Sequence, residues 1–139
     1  MRVNHLIIGC RDVFESASFY KDLFGFSQAG EFTDTGTGMV GLILHRRDSD
    51  ADDLDLMLVP FKHERLPNPQ HVALETDEQT FNRSFETATS KGLKIRAEPS
   101  LKSEVYGIGR LDIHDRSYRI FYVLDPGGVN VELMTKVKE

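Results

Sequence analysis

The chain has 139 residues, 40% of them hydrophobic and 28% charged, which is the composition of a single soluble globular domain. A net charge of −5 without a basic stripe argues against nucleic acid as the main partner, and no apolar run is long enough to span a membrane. The single Cys10 cannot form an internal disulfide, and the polar N-terminus does not have the form of a signal peptide, so we expect a cytoplasmic protein.

The first half of the chain predicts one strand, one helix and three further strands. The apolar strand begins at His5, and Asp12 followed three residues later by Glu15 has the spacing of a helix-starting capping box. Gly25 suits the left-handed conformation that commonly ends a helix. Strand-like segments follow at 27–33, 38–45 and 54–60.

The second half repeats these signals in the same order. His71 opens an apolar strand, Thr76 and Gln79 have the capping-box spacing, and Gly92 follows the helix. Strand-like segments then occur at 93–98, around 106–124 and at 129–135. We therefore predict an α+β fold of two βαβββ modules, residues 1–61 and 70–139 joined by a linker at 62–69, forming a curved mixed sheet with the helices outside.

The repeat brings four positions into correspondence, three of which carry metal-ligand side chains. His5 matches His71, and aligning the last strands of the two halves matches Met57 with Glu132. A lone histidine in an apolar strand is more often a core residue, but the matched pair and the carboxylate favour a metal site. Two imidazoles and one carboxylate with open coordination positions suit iron(II), manganese or zinc catalysis.

Three stretches, occurring in order over nearly the whole chain, resemble known motifs: NHLIIGCRDVFESASFYKDLFGF, QHVALET and FYVLDPGGVNVEL. Together they resemble the vicinal oxygen chelate superfamily, which includes glyoxalase I, the fosfomycin and bleomycin resistance proteins, and the extradiol ring-cleavage dioxygenases. The resemblance implies paired modules whose sheets curve around a metal cavity, metal ligands at His5, His71 and Glu132, and a homodimer. Glyoxalase I would have a carboxylate at the position of Met57, and Asp55 could take its place only if the strand register shifted.

The end of the chain resembles the extradiol branch in particular, through His114, Phe121-Tyr122, Asp125-Pro126, Gly128 and Glu132. In that branch the histidine and the tyrosine contact the diol, so the resemblance implies that His114 and Tyr122 are catalytic. The alternatives are an exposed loop histidine and a core tyrosine.

Two departures from that branch stand against the assignment. Asp112 breaks the first position of the signature. The branch also carries an acid–base histidine near the end of the fourth strand, whereas residues 51–62 contain none and His63 is the nearest candidate. His45 is interpreted as a solvated strand end.

The residues and the resemblance leave three possible functions, each of which involves a small-molecule substrate or ligand. The favoured one is a mononuclear metal enzyme whose substrate chelates through vicinal oxygens, as in an extradiol-type dioxygenase that uses Fe(II) or Mn. The second is a glyoxalase-like lyase or isomerase, or a resistance transferase, for which Zn or Ni suffices. The third is a metal-free binding protein of the bleomycin-resistance type, which the ligand set disfavours.

Overall fold

The computed structural model describes residues 4–33, 38–47, 53–60, 70–113 and 115–138. No helix within these ranges is long and apolar enough to cross a membrane. The elements, in chain order, are β1 (His5–Cys10), α1 (Val13–Phe24), β2 (Ser27–Thr33), β3 (Val40–Arg47), β4 (Asp53–Pro60), β5 (His71–Glu75), α2 (Glu78–Ser90), β6 (Gly109–Ile113), β7 (Arg116–Leu124) and β8 (Asn130–Lys136). The order β-α-β-β-β occurs twice, and the predicted α+β fold of two βαβββ modules is confirmed.

Contacts divide the chain into two compact units, each with its own four-stranded mixed sheet. The first unit comprises Met1–Asn68 and Pro126–Gly128, and the second comprises Pro69–Asp125 and Val129–Glu139. The strand order is β1-β4-β3-β2 in the first sheet and β5-β8-β7-β6 in the second. In each sheet the first strand is parallel to the last strand of its module, and the other neighbours are antiparallel.

The first helix begins and ends at the residues that the sequence predicts. The Asp12 side chain accepts hydrogen bonds from the backbone N–H groups of Phe14 and Glu15, which have no partner inside the helix. Gly25 ends the helix with φ 75°, a left-handed conformation that costs glycine no steric strain.

The core of the first unit lies between α1 and one face of its sheet. Because alternate strand residues point to opposite faces, each strand sends every second side chain into this core. The largest fully buried side chains there are Tyr20, Phe24, Phe26, Ile8, Leu42, Leu44, Leu56 and Leu58. Each such side chain contributes roughly 1.5–3 kcal/mol by leaving water. The opposite face carries His5, Ile7 and Met57, and Ile7 is 62% exposed.

The second helix begins one residue later than predicted. Asp77, and not Thr76, is its N-cap, because the Asp77 carboxylate accepts from the backbone N–H of Thr80. Thr76 is still part of the sheet, since its backbone N–H donates to the carbonyl of Met134. Gly92 follows the helix with φ 68°, in agreement with the predicted stop.

The prediction of a strand at 93–98 is wrong. Only Arg96 pairs there, in isolated bridges to Tyr106 and Tyr122, and Pro99 removes a donor that a longer ladder would need. The predicted segment around 106–124 is instead the hairpin of β6 and β7. Residues 91–108 thus form a long connection between α2 and β6, whereas only Gly25 and Phe26 separate α1 from β2 in the first unit.

The strand registers of the two sheets are equivalent. In the first sheet Ile7 lies opposite Met57, and in the second Ala73 lies opposite Glu132. Two residues earlier on each strand, His5 lies opposite Asp55 and His71 lies opposite Asn130. Met57 therefore holds the position that Glu132 holds in the second module, as the sequence alignment predicted.

Candidate functional site

Three adjacent strands of the second unit present His71, Glu132 and Tyr122 on one face of the sheet. Glu132 on the central strand β8 lies opposite Tyr122 of β7, and His71 is on the other neighbour, β5. Alternation sends Val131 and Leu133, both fully buried, to the opposite face. The strand therefore buries its apolar residues on one side and presents a carboxylate on the other.

Glu132 is buried, and one of its two oxygens has no protein partner. Its Oε2 lies 3.0 Å from Nε2 of His71, while its Oε1 makes no hydrogen bond to any described residue. Only 4% of the residue is exposed. An unpaired carboxylate oxygen out of water is costly, and a cation at this point would remove that cost. The donor chemistry of the pair, an imidazole nitrogen and a carboxylate, fits a first-row divalent ion.

Tyr122 is a neutral hydrogen-bond donor beside this pair. Burial raises the pKa of its hydroxyl to about 12, with the charge of Glu132 acting in the same direction and the charge of Arg96 opposing them. The phenol ring centroid lies 5.9 Å from that of His71. The hydroxyl therefore keeps its proton throughout the ordinary pH range and can donate it to a nearby oxygen.

Arg96 is a buried cation under Tyr122 that the sequence did not reveal. Its guanidinium donates to the carbonyls of Pro99 (3.2 Å) and Ser100 (3.0 Å) and to Oδ1 of Asn130, and it lies 5.9 Å from the Tyr122 ring centroid. Burial lowers the pKa of the guanidinium from its usual value, although an arginine remains charged. Alternation in the segment 93–98 would have placed Arg96 opposite the buried Ile95, in solvent, so no sequence signal pointed to it.

His5 lies in the first unit, at the start of β1. Its side chain is exposed, and its Nδ1 lies 3.0 Å from Oδ1 of Asn4. Across the sheet its register partner is Asp55, and Asp55 in turn is bonded to His45, with 2.5 Å between Oδ1 and Nδ1. His45 is thus partly buried and paired, in contrast to its interpretation as a solvated strand end.

Two candidate residues fall outside the described ranges: His114, predicted to be catalytic, and His63. In the ranges that the structure does describe, no three His, Cys, Asp or Glu side chains are grouped as a metal site. His71 and Glu132 are the two predicted ligands whose contact is visible, within the second unit.

The model of the Glyoxalase/Bleomycin resistance protein/Dioxygenase superfamily matches residues 2–133, almost the whole chain. The chain belongs to this superfamily. No curated protein matches it. Among solved structures of the same fold, the oxidase ChaP-H2 is 23% identical with a TM-score of 0.76, covering 99% of this chain and 94% of its own.

Two further structures show how widely the superfamily fold is shared. The oxidase ChaP-H1 is 22% identical with a TM-score of 0.73, covering 99% of this chain and 97% of its own. A possible glyoxalase from Bacillus cereus is 23% identical with a TM-score of 0.58, covering 96% and 98%. At 22–23% identity the similarity establishes a shared fold. It does not establish a shared reaction.

Proposed function

We propose that this protein is a mononuclear divalent-metal enzyme for a small substrate that chelates through two vicinal oxygens, and that it acts as an extradiol-type ring-cleavage dioxygenase. The observation that carries the proposal is the buried Glu132 carboxylate, with one oxygen on His71 and the other without a protein partner. We propose His5, His71 and Glu132 as the ligands, with Fe(II) or Mn as the ion and Zn or Ni as the alternatives.

Tyr122 supports a diol as the substrate. A phenol that keeps its proton can donate to an ionised substrate oxygen, and here the donor lies beside the proposed ligands. His114 is proposed to contact the substrate as well. The Arg96 guanidinium lies 5.9 Å from the Tyr122 ring centroid, within the range of a cation–π contact.

Met57 favours this reaction over that of glyoxalase I. The position equivalent to Glu132 in the first module carries a thioether, so the chain lacks the fourth, carboxylate ligand of that enzyme. Asp55 is not in this position, because it lies opposite His5 and is bonded to His45. The names of two structural relatives, both called oxidases, agree with an oxidative reaction.

The proposed reaction consumes one diol and one dioxygen. A ring C–C bond beside a hydroxyl-bearing carbon and the O–O bond both break, both oxygen atoms enter the ring-opened product, and the substrate supplies the four electrons that reduce dioxygen. A divalent ion held by His5, His71 and Glu132 would bring the diol and dioxygen together. The protein holds the substrate oxygens by Tyr122, keeps water from the buried side of Glu132, and orients the ring.

Metal analysis of protein purified without air, followed by oxygen uptake with a panel of catechols, tests the proposal. We expect about one Fe or Mn per chain and oxygen consumption with at least one catechol. His5→Gln, His71→Gln and Glu132→Gln should each lower the metal content. Glu75→Gln is the matched control, because Glu75 is an exposed carboxylate on the same strand as His71 and forms a salt bridge with Lys136.

Loss of metal in the Glu75 control, or full metal content in the Glu132 variant, would contradict the ligand assignment. Full metal content without oxygen uptake, but with turnover of a hemithioacetal, would move the protein to the glyoxalase-like alternative. We also propose a homodimer on the basis of the superfamily, and sedimentation of the wild-type protein at micromolar concentration tests it.

A further inference from the structure

The second unit has a groove where the end of α2 meets the connection to β6. Its volume is about 500 Å³, within the range of small-molecule sites. The lining residues, all in the second unit, are Phe85, Thr89, Gly92, Leu93, Lys94, Ile95, Tyr106 and Gly107. The rings of Phe85 and Phe121 lie 5.6 Å apart, and alternation sends Phe121 to the face of β7 opposite Tyr122. The groove is therefore on the helix side of the sheet, away from the face that carries Glu132.

The body of the groove is apolar and its walls are held in place. Phe85 and Leu93 are half-buried and Ile95 is buried, whereas Tyr106 is 52% exposed. The backbone N–H of Gly107 donates to the carbonyl of Ile95 at 3.0 Å, which joins the two ends of the connection. A Cβ at Gly107 would meet no atom within 4 Å, so the space beside it is open. Apolar carbon that faces open space is stabilised when an apolar ligand covers it.

Two hydrogen-bond donors lie at the exposed edge of this apolar surface, the ammonium of Lys94 and the hydroxyl of Tyr106. The Lys94 Nζ lies 5.7 Å from the centroid of the Tyr106 ring, and among the described residues this ring is its only contact. The Tyr106 hydroxyl makes no hydrogen bond to any residue in the described ranges. A carboxylate only accepts hydrogen bonds, so a cation beside a hydroxyl is complementary to it.

We propose that the groove is a second small-molecule site and that it binds an apolar monocarboxylate. The apolar body of the ligand packs against Phe85, Leu93 and Ile95. Its carboxylate accepts from the Lys94 ammonium and the Tyr106 hydroxyl. The chain as a whole carries a net charge of −5, so the lysine at this edge gives the groove a local charge opposite to that of the protein. The site needs no metal, and it goes beyond the proposed function.

Calorimetric titration with naphthoate and with octanoate tests the proposal, and the two probes distinguish an aromatic from an aliphatic ligand. Naphthamide has the shape of naphthoate without its charge, so we expect it to bind the wild type more weakly. Lys94→Gln should lower the affinity for the carboxylates roughly fivefold and leave that for the amide unchanged. Lys102→Gln is the matched control, because Lys102 is an exposed lysine of the same connection outside the lining of the groove.

Filling the groove gives a second test. Thr89→Trp should abolish binding of every probe, whereas Ser90→Trp, at the next exposed helix position and outside the lining, should bind as the wild type. Glu132→Gln should also bind as the wild type, because the groove does not include the proposed metal ligands.

Failure of both carboxylates to bind would overturn the inference, as would equal losses in the Lys94 and Lys102 variants. Loss of binding in Glu132→Gln would assign the probes to the proposed metal site instead. A dimer that dissociates only in Thr89→Trp would show that a second copy of the chain occupies the groove, and would overturn it too. The Lys94 comparison decides the matter even if Thr89→Trp does not fold, and none of these outcomes bears on the proposed function.

Discussion

Nε2 of His71 and Oε2 of Glu132 lie 3.0 Å apart, although the two residues are on different strands and are not register partners. Glu132 lies opposite Ala73, whose single methyl group leaves room for the carboxylate to turn toward His71. One oxygen of the carboxylate is then occupied and the other is left without a partner. This relationship gives the first prediction.

Glu132→Gln should lose bound metal while the fold survives. The amide keeps the size of the side chain and removes its charge, so affinity should fall by more than the roughly 10–100-fold that losing an outer partner of a ligand costs. Metal content after dialysis and the free energy of unfolding of the metal-free protein measure the two effects. We expect the unfolding free energy to change by no more than about 1 kcal/mol. A variant that retains metal as the wild type does would exclude Glu132 as a ligand.

Tyr122→Phe should reduce turnover of a catechol by about 10²–10³-fold with unchanged metal content, because it removes one donor to a developing charge. The matched control is Tyr118→Phe. Tyr118 is equally buried and lies on the same face of β7, in the cluster of Tyr122, Ile120 and Met134. Equal turnover in the two variants would make Tyr122 a core tyrosine.

Tyr122 also predicts how stability changes at alkaline pH. Its pKa is raised to about 12 in the folded protein, above the ordinary value of about 10, so folding favours the neutral phenol. This contribution to stability is fully present below about pH 10 and is lost as the pH rises toward about 12. The unfolding free energy of the wild type should therefore fall more steeply over this window than that of Tyr122→Phe. Parallel curves would show that the phenol ionises as easily in the folded state as in the unfolded state.

Replacing Arg96 should destabilise the second unit. Arg96→Met removes the donors to the Pro99 and Ser100 carbonyls and leaves the buried Oδ1 of Asn130 without its partner, at a cost on the order of 3 kcal/mol. Arg96→Lys should recover part of the loss, because an ammonium donates but does not have the planar fork. Arg110→Met, at an exposed side chain paired with Asp112, is the control and should change stability by less than about 0.5 kcal/mol. Chemical denaturation gives all three values.

Gly109→Ala should be destabilising, whereas Gly30→Ala should not. Both glycines lie in strands, but a methyl at Gly109 would overlap the backbone oxygen of Ala97, and one at Gly30 would meet only Cδ1 of Ile43, at 3.8 Å. We expect a loss of about 1–3 kcal/mol for the first substitution. Equal melting temperatures for the two variants would mean that the 91–108 connection can move away from β6.

The sequence was sufficient for the modules because their signals are local. Asp12 and Gly25 mark the ends of α1 within a few residues, and the repeat of those signals defines the second module. The strand prediction for 93–98 was wrong because the apolar residues of that segment have the spacing of a strand. The actual contacts of the segment are made by Arg96 with Tyr122 and Asn130, which lie far along the chain.

The candidate functional site could be predicted only in part, because some of its contacts also depend on how distant strands pair. Strand alternation places Glu132 and Tyr122 on the face opposite the core, and that much can be read from the residues alone. The hydrogen bond between His45 and Asp55 depends on the register of β3 against β4, and the sequence alone does not determine that register. A histidine beside a charged run therefore looks like any exposed residue until its partner strand is in place.

The unequal connections of the two modules have a consequence for how such proteins diversify. In the first module two residues lead from helix to strand, so an insertion there would disturb the core directly. In the second, residues 91–108 leave the sheet and return to it, with the Arg96 side chain as their anchor. Surface connections accept changes of length and composition that strands do not. We expect substrate specificity to evolve through changes in residues 91–108, which lie beside Tyr122. The strands that carry His71 and Glu132 should remain unchanged.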